Sequence, residues 1–275
     1  MRNILTIDVE DWFQVEALKK CISYHEWNSC ESRVLSNVLR VLKFLDENKA
    51  KATFFILGWV AERLPQVVLE INRYGHEIAS HGYAHRVVYE QKEIEFKDDM
   101  KRSLAVLERL IKKKVIGYRA PNFSITDRSL WAYEILAELG IEYSSSVFPT
   151  KHIFQIYGLS QAPRFPFVLN LKNGSRIREF PLSTVEIFGR PMPFGGGAYL
   201  RIMPHWYNKW GIKKINQQGH PAIVYFHPWE IDPLQPKQNL GVLGKFRHYY
   251  NLDIMELKIR MLLRDFQFGA ISEFL

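Results

Sequence analysis

The chain has 275 residues, 47% hydrophobic and 24% charged, and 37 Lys plus Arg against 29 Asp plus Glu give a formal net charge of +8. This composition excludes a disordered chain, and the length admits either one α/β barrel, which commonly takes roughly 250 residues, or two smaller domains. No apolar run approaches the roughly 18 residues of a membrane span. Met1-Arg2-Asn3 leads straight into Ile4-Leu5-Thr6-Ile7 rather than into a signal peptide. The chain therefore reads as cytoplasmic, with association to a membrane surface left open by its basic charge. Cys21 and Cys30 fit neither a disulfide framework nor a zinc-knuckle spacing and read as free thiols.

Short apolar runs alternate with amphipathic segments, the pattern of βα units. Asn3 to Val9 reads as the first strand. Val34, Leu35, Val38, Leu39, Leu42 and Leu45 recur at helical spacing behind Ser32, a candidate N-cap, with fraying expected near Asn48. Ala52 to Leu57 is a buried strand, Pro65 to Tyr74 a helix stopped by Gly75, and His76 to Ser80 a short strand. Phe96, Met100, Leu104, Leu107 and Ile111 mark a longer helix. Val115 to Tyr118 is a strand, Asp127 caps a helix through Leu139, and Ile141 to Ser144 is another strand. Between Thr150 and Gly197 the rhythm breaks into Pro- and Gly-rich sequence, where Asn173-Gly174 between two strand-like runs predicts a hairpin. A helix over Pro204 to Gln218, a strand over Ala222 to Phe226 and an amphipathic helix from Asp253 to Phe266 resume the pattern. The expected organisation is one domain over 1–275, with an insertion at about 150–200 and a C-terminal extension at about 235–275.

Nearly every expected strand ends in a residue capable of chemistry. The first ends in Asp8, with Glu10 and Asp11 beyond it; the third ends in His81, with His85 four residues on; Arg119 and His227 follow two others. In a parallel barrel those C-terminal strand ends share one face, so the side chains converge on one pocket. His81-Gly82-Tyr83-Ala84-His85 places two imidazoles one helical turn apart, and Glu10 or Asp11 completes a two-His, one-carboxylate set that leaves positions for water and substrate. Asp8 fits a general base. Arg119 fits the cation that holds Asp8 ionised and oriented, and His227 a general acid that titrates near neutral pH.

At these residues the chain resembles the NodB-type polysaccharide deacetylases, carbohydrate esterase family four, and within them the subgroup of bacterial exopolysaccharide and exosortase loci. The segments that carry the resemblance are Thr6 to Val15 (TIDVEDWFQV), Gly75 to His85 (GHEIASHGYAH), Gly117 to Thr126 (GYRAPNFSIT), Gly195 to Arg201 (GGGAYLR) and Tyr225 to Pro233 (YFHPWEIDP). Phe246 to Leu252 (FRHYYNL) resembles the subgroup's C-terminal extension. The resemblance implies a distorted (β/α) barrel of about seven parallel strands, and a metal-dependent hydrolase that removes N-acetyl groups from N-acetylhexosamine units of an oligo- or polysaccharide. It implies Asp8 as base, His81 and His85 as metal ligands, Arg119 as the partner of the base, His227 as acid and the Asn122 backbone N–H as oxyanion donor. The expected cation is Zn2+, with Co2+ or Ni2+ as alternatives.

Two departures stand out. The family commonly has adjacent Asp residues where Asp8 is followed by Val9, so the third ligand is expected to be Glu10, with Asp11 the alternative. Ser144 stands where an acidic residue often tunes the catalytic His, leaving Glu179 or Glu230 to supply that charge. Trp12, Tyr83, Pro121, Phe123 and Trp229, with Trp206 as a further aromatic, are candidates for sugar contact, and Gly195-Gly196-Gly197 for a close backbone approach to it. Two rival functions remain: a glycosidase using paired carboxylates such as Asp8 and Glu10, and a carbohydrate-binding protein with a vestigial site. No nucleic-acid-binding motif of a common module is present, so nucleic acid is not an expected partner.

Overall fold

The computed structural model describes residues 1–150 and 162–275. Its elements, in chain order, begin with β1 (Arg2–Val9), α1 (Val34–Glu47), β2 (Thr53–Ile56), α2 (Gly58–Arg63), α3 (Pro65–Arg73) and β3 (Glu77–Ser80). Next come α4 (Glu93–Ile111), β4 (Gly117–Tyr118), α5 (Ala132–Glu138), β5 (Tyr143–Ser144), β6 (Phe167–Asn170), β7 (Arg176–Glu179), β8 (Thr184–Ile187) and β9 (Arg190–Pro193). The chain ends with α6 (Gly197–Ile202), α7 (His205–Gln217), β10 (Ile223–Phe226), α8 (Val242–Tyr249), α9 (Leu252–Asp265) and β11 (Gln267–Gly269). Among the described residues no helix is long and apolar enough to cross a membrane.

The main sheet runs β10-β1-β2-β3-β4-β5-β7-β6, with β11 beside β1. Every neighbouring pair is parallel except β6 with β7, so the path from β10 to β7 is a curved parallel sheet of the kind expected for a distorted barrel. It draws strands from both halves of the chain. The β6–β7 hairpin turns at Asn173-Gly174, with Gly174 at φ +82°, and lies in the expected insertion; residues 151–161 of that insertion are outside the described residues. A second hairpin, β8–β9, turns at Phe188-Gly189, where both φ angles are positive (49° and 71°), the backbone of a two-residue turn that matches strand twist.

Strand alternation explains how the site is aimed. On β1, Leu5, Ile7 and Val9 pack in the larger apolar cluster with the helices, whereas Ile4 belongs to the smaller cluster inside the curved sheet. The same split separates Phe54 and Ile56 from Phe55 on β2, Ile78 from Ala79 on β3, and Val224 and Phe226 from Ile223 on β10. Side chains on a strand repeat with a period of two. Counting on from the interior residues by twos reaches Asp8 and Glu10 after Ile4, His81 after Ala79, Arg119 after Gly117, and His227 after Ile223. The register sets Asp8 opposite Phe55 and Phe55 opposite Ala79, so these interior positions lie level with one another.

Several sequence expectations are corrected locally. Ser32 does not cap α1; its hydroxyl donates to Asp11 Oδ2 (2.6 Å), and Asp11 Oδ2 instead accepts from the Arg33 and Val34 amides (2.9 and 3.2 Å). The helix expected from Asp127 begins only at Ala132, after a turn in which the Ser129 hydroxyl takes the Thr126 amide. The strand expected over Val115 to Tyr118 shrinks to Gly117–Tyr118, where Gly117 lies so close to the Tyr143 ring that a Cβ would sit 2.2 Å from it.

Candidate active site

Asp8, Glu10, His81, His85, Asn122, Phe123, His227 and Trp229 line one cavity of about 460 Å³ at the C-terminal ends of the strands. Asp8 is buried, and its Oδ1 accepts from Arg119 Nη1 at 2.7 Å. Arg119 has no exposed surface; the same nitrogen donates to Thr6 Oγ1 (2.8 Å), while Nε and Nη2 donate to the carbonyl and hydroxyl of Ser145 (2.9 and 2.7 Å). Its guanidinium also lies 4.2 Å from the Phe55 ring centroid. A planar cation fixed on so many sides holds the Asp8 carboxylate in one orientation. Asp8 Oδ2 faces His227 Nε2 at 3.9 Å.

Ligand atoms of Glu10, His81 and His85 all lie within 4.8 Å of one another, and all three residues are buried. His81 Nδ1 is 2.8 Å from the Arg119 carbonyl, which can only accept, so Nδ1 carries the proton and Nε2 keeps its lone pair. Burial pushes the His81 imidazole down to about 4, so it is neutral at physiological pH, as a ligand must be. Glu10 Oε1 lies 3.3 Å from both Trp229 Nε1 and His227 Nε2. Glu10 Oε2 is buried and lies 2.9 Å from His85 Nε2, within ion-pair distance, and among the described residues it accepts no hydrogen bond of normal geometry. Burial alone would raise the Glu10 carboxyl, but His85 and His227 beside it hold it at about 2. A neutral imidazole, a second imidazole and an ionised carboxylate fit a divalent cation of the zinc type.

The two imidazoles meet by a different route from a helical turn. Residues 81–87 form a loop after β3, with Gly82 at φ +74° and His85 at φ +52°, and the ring centroids stand 5.4 Å apart. A left-handed conformation at His85 costs on the order of 1 kcal/mol or more and is held by its surroundings. Asp99 does part of that, accepting from the Tyr83 and Ala84 amides (2.6 and 3.3 Å). Asp11, the alternative carboxylate, is not with this group. Its oxygens are spent on the Trp12, Arg33 and Val34 amides and the Ser32 hydroxyl.

His227 Nδ1 lies 3.0 Å from Glu230 Oε2, which also accepts the His227 amide at 2.9 Å. Burial would depress this imidazole, but Glu10 and Glu230 outweigh it and raise it to about 9. Glu230 is itself buried and held at about 2: burial opposes its charge, and Arg201 and His227 more than offset it. Of the two carboxylates the sequence offered for this duty, Glu179 is engaged elsewhere, accepting from the Ser146 and Val147 amides (2.7 and 2.9 Å) and the Tyr133 hydroxyl (2.9 Å).

Arg201 was legible only as part of the Gly195–Arg201 segment, with no role attached. It is 1% exposed; Nε donates to Glu230 Oε1 at 2.7 Å, and its other nitrogens donate to the carbonyls of Arg247, His248 and Tyr250. The C-terminal extension thus reaches His227 through two side chains. Gly196 admits the Tyr225 ring, where a Cβ would meet it at 1.9 Å, and Gly197 lines the cavity.

The other aromatic candidates separate by place. Phe123 and Trp229 line the cavity, Trp229 lying between His227 and His248 with its ring planes within 26° and 17° of theirs. Trp12 is a core residue, 3% exposed, whose indole donates to the Glu31 carbonyl (3.0 Å). Pro121 is buried beside Asn122 and does not line the cavity, Tyr83 lines the neighbouring one, and Trp206 is 68% exposed on α7. Asn122 occupies a left-handed turn (φ 53°), and its side-chain amide donates to Glu16 Oε2 at 3.2 Å.

Residues 31–144 match the family model for polysaccharide deacetylase, and residues 145–275 match a domain of unknown function, DUF3473. A peptidoglycan-N-acetylglucosamine deacetylase of Bacillus cereus is 33% identical over 96 residues, 34% of this chain and 35% of that protein. A peptidoglycan deacetylase-like protein, FGM2, of Gibberella zeae is 30% identical over 143 residues, 51% of this chain and 40% of that protein. The chain thus spans well under half the length of these curated relatives. The crystal structure of a putative polysaccharide deacetylase from Mycobacterium smegmatis shares the fold, with a TM-score of 0.58 at 20% identity over 98% of this chain and 87% of that one. His81, His85, Arg119 and Asn122 lie in the first matched region, Arg201, His227 and Glu230 in the second, and Asp8 and Glu10 precede both. By these matches residues 31–144 carry the sequence pattern of the polysaccharide deacetylase family, and the chain shares the fold of the Mycobacterium smegmatis protein.

Proposed function

We propose that this protein is a metal-dependent hydrolase that removes N-acetyl groups from N-acetylhexosamine units of a bacterial polysaccharide or its precursor, releasing acetate and leaving a free amino sugar. The observation that carries the reading is the convergence of a buried Glu10 carboxylate with the His81 and His85 imidazoles within 4.8 Å of one another, next to an Arg119-clamped Asp8 and a doubly hydrogen-bonded His227. Glu10, His81 and His85 would hold the cation, Zn2+ being the best match to two nitrogens and one oxygen. When bound, such a cation supplies Lewis acidity, polarising a carbonyl and making water acidic.

The chain's own residues supply the rest. Asp8, with Oδ1 committed to Arg119, offers Oδ2 as the base that takes the proton from water as it attacks the acetyl carbon. The Asn122 N–H, presented by its left-handed turn, donates to the oxygen on which negative charge develops, a contribution of roughly 3–4 kcal/mol for one such donor. His227 Nε2, protonated at neutral pH, gives its proton to the departing amine nitrogen, a step worth about 10²–10⁴-fold. Phe123 and Trp229 provide apolar surface for the sugar. The chain 1–275 acts as one domain in this reading, because its base, its ligands and its acid come from both matched regions and the segment before them. The glycosidase alternative leaves His81, His85 and His227 without work to do.

The test is acetate release from N-acetylglucosamine polymers with and without added divalent cation, with Asp8→Asn and His227→Ala as controls. Release that depends on the cation and collapses in both variants supports the reading. Undiminished release by Asp8→Asn overturns the role of Asp8, and release unaffected by EDTA overturns the metal.

A further inference from the structure

Helix α8 turns an apolar face outward. Val242 is 89% exposed and Leu243 78%, and the exposed rings of Phe246 and Tyr250 stand 4.7 Å apart between centroids. At 3.6 residues per turn Val242, Leu243 and Phe246 share an arc of about 100°, with Lys245 on one flank and Arg247 on the other. His248 lies opposite that arc and is buried, its ring stacked on Trp229 at 4.6 Å and its Nε2 3.1 Å from Gln235 Oε1. Arg201 holds the carbonyls of Arg247, His248 and Tyr250. The helix is thus fixed by its inner face and its end, which leaves the apolar arc in water. Single apolar residues on a surface need no explanation, but several gathered on one arc mark an interaction site.

The charges around the arc indicate what covers it. From Pro233 to Leu252 the chain has no Asp or Glu, and it carries Lys237, Lys245 and Arg247 there. All three are exposed, and among the described residues none has a carboxylate partner, whereas Arg40, Arg102 and Arg260 on other helices each reach one within 2.9 Å. Lys237 is kept beside α8 because Gln235 meets His248 and the Gln238 amide donates to the Tyr249 hydroxyl at 2.7 Å. Lysine is depleted from the cores of protein–protein interfaces. A bilayer with anionic headgroups, by contrast, takes apolar side chains at its acyl boundary and flanking cations at its headgroups.

We propose that α8 is an interfacial helix by which the protein docks on an anionic phospholipid surface. Val242, Leu243 and Phe246 enter the bilayer, and Lys237, Lys245 and Arg247 meet the headgroups. Arg247 and His248 also line the active-site cavity, so docking sets that cavity beside the bilayer. Docking does not depend on the reaction in the cavity, and its failure leaves the deacetylase reading standing.

The experiment is co-sedimentation of the full chain with vesicles of phosphatidylcholine alone, or of equal parts phosphatidylcholine and phosphatidylglycerol, at low and high salt. Wild type is expected to bind the anionic vesicles at low salt, and at least about tenfold more weakly at high salt or without phosphatidylglycerol. Val242→Ser/Leu243→Ser is expected to weaken that binding roughly 10- to 100-fold, and Lys237→Gln/Lys245→Gln about fivefold per lysine. All four side chains are exposed, so melting temperatures stay near wild type. Lys101→Gln/Lys113→Gln removes the same charge from two exposed positions on and just after α4, and is expected to change binding less than about twofold. An equal loss in that control assigns the binding to net charge and overturns the docking face. So does wild-type binding by Val242→Ser/Leu243→Ser, or no binding by wild type. A lipid-free wild-type dimer that Val242→Ser/Leu243→Ser makes monomeric, read by light scattering, gives the face to a second copy and also overturns the proposal.

Discussion

Replacing Glu230 by Gln removes the charge behind the proposed acid while keeping its size. In the native protein Glu230 Oε2 sits 3.0 Å from His227 Nδ1, and burial's downward pull on His227 is outweighed by Glu10 and Glu230, which raise it to about 9. A hydrogen bond to a charged group contributes roughly 1.5–3 kcal/mol, and at 1.36 kcal/mol per pH unit its loss lowers the His227 pKa by about 1–2 units. Because the acid must be protonated, activity is lost as pH rises through that pKa, so the basic limb of the kcat profile moves to lower pH in Glu230→Gln. The same change strands Arg201, whose Nε lies 2.7 Å from Glu230 Oε1, and breaking a buried pair costs about 3–5 kcal/mol. The assay is therefore acetate release against pH at a temperature where melting curves show the variant folded. Arg201→Met is the contrast, since it breaks the same pair and leaves the Glu230 charge on His227. It is expected to lose comparable stability without moving the basic limb to lower pH. A basic limb that stays put in folded Glu230→Gln, or that shifts equally in Arg201→Met, would refute the proposed tuning.

Asp8→Asn is expected to lower kcat by about 10²–10⁴-fold, the range for a general base, with metal content unchanged, as read by acetate release and elemental analysis of the same sample. Glu10→Gln removes the ionised ligand and is expected to lose bound Zn2+ in equilibrium dialysis. Asp11→Ala is expected to keep the ion and lose about 1–3 kcal/mol of stability, because Asp11 holds the start of α1 rather than the cavity.

Much of this site was readable before any coordinates, for a physical reason. Parallel strands with a two-residue repeat deliver every second residue to one face, so Asp8, His81, Arg119 and His227 could be recognised as neighbours from strand ends alone. Asn173-Gly174 likewise announced its hairpin through backbone chemistry that any chain obeys. The duty of Glu230 could not be separated from that of Glu179, because the two differ only in which distant groups they meet: Arg201 and His227 for one, Tyr133 and the loop after β5 for the other. Arg201 carries no local signature at all, since its partners lie 29 to 49 residues away and three of them are backbone carbonyls. Trp12 looked like a sugar platform by composition, yet its place beside Phe13 (ring centroids 5.5 Å apart) and its bond to Glu31 belong to the core. His81 and His85 were matched by spacing, although a loop with two left-handed residues, and not a helix, brings them together.

The most direct measurement is mass spectrometry of a defined N-acetylglucosamine oligomer after incubation with the zinc-loaded protein, with acetate and free amine counted in the same reaction. The proposed chemistry predicts loss of acetyl groups with chain length unchanged, and acetate equal to new amine. Shortened oligomers, or intact oligomers with no acetate released, would contradict it.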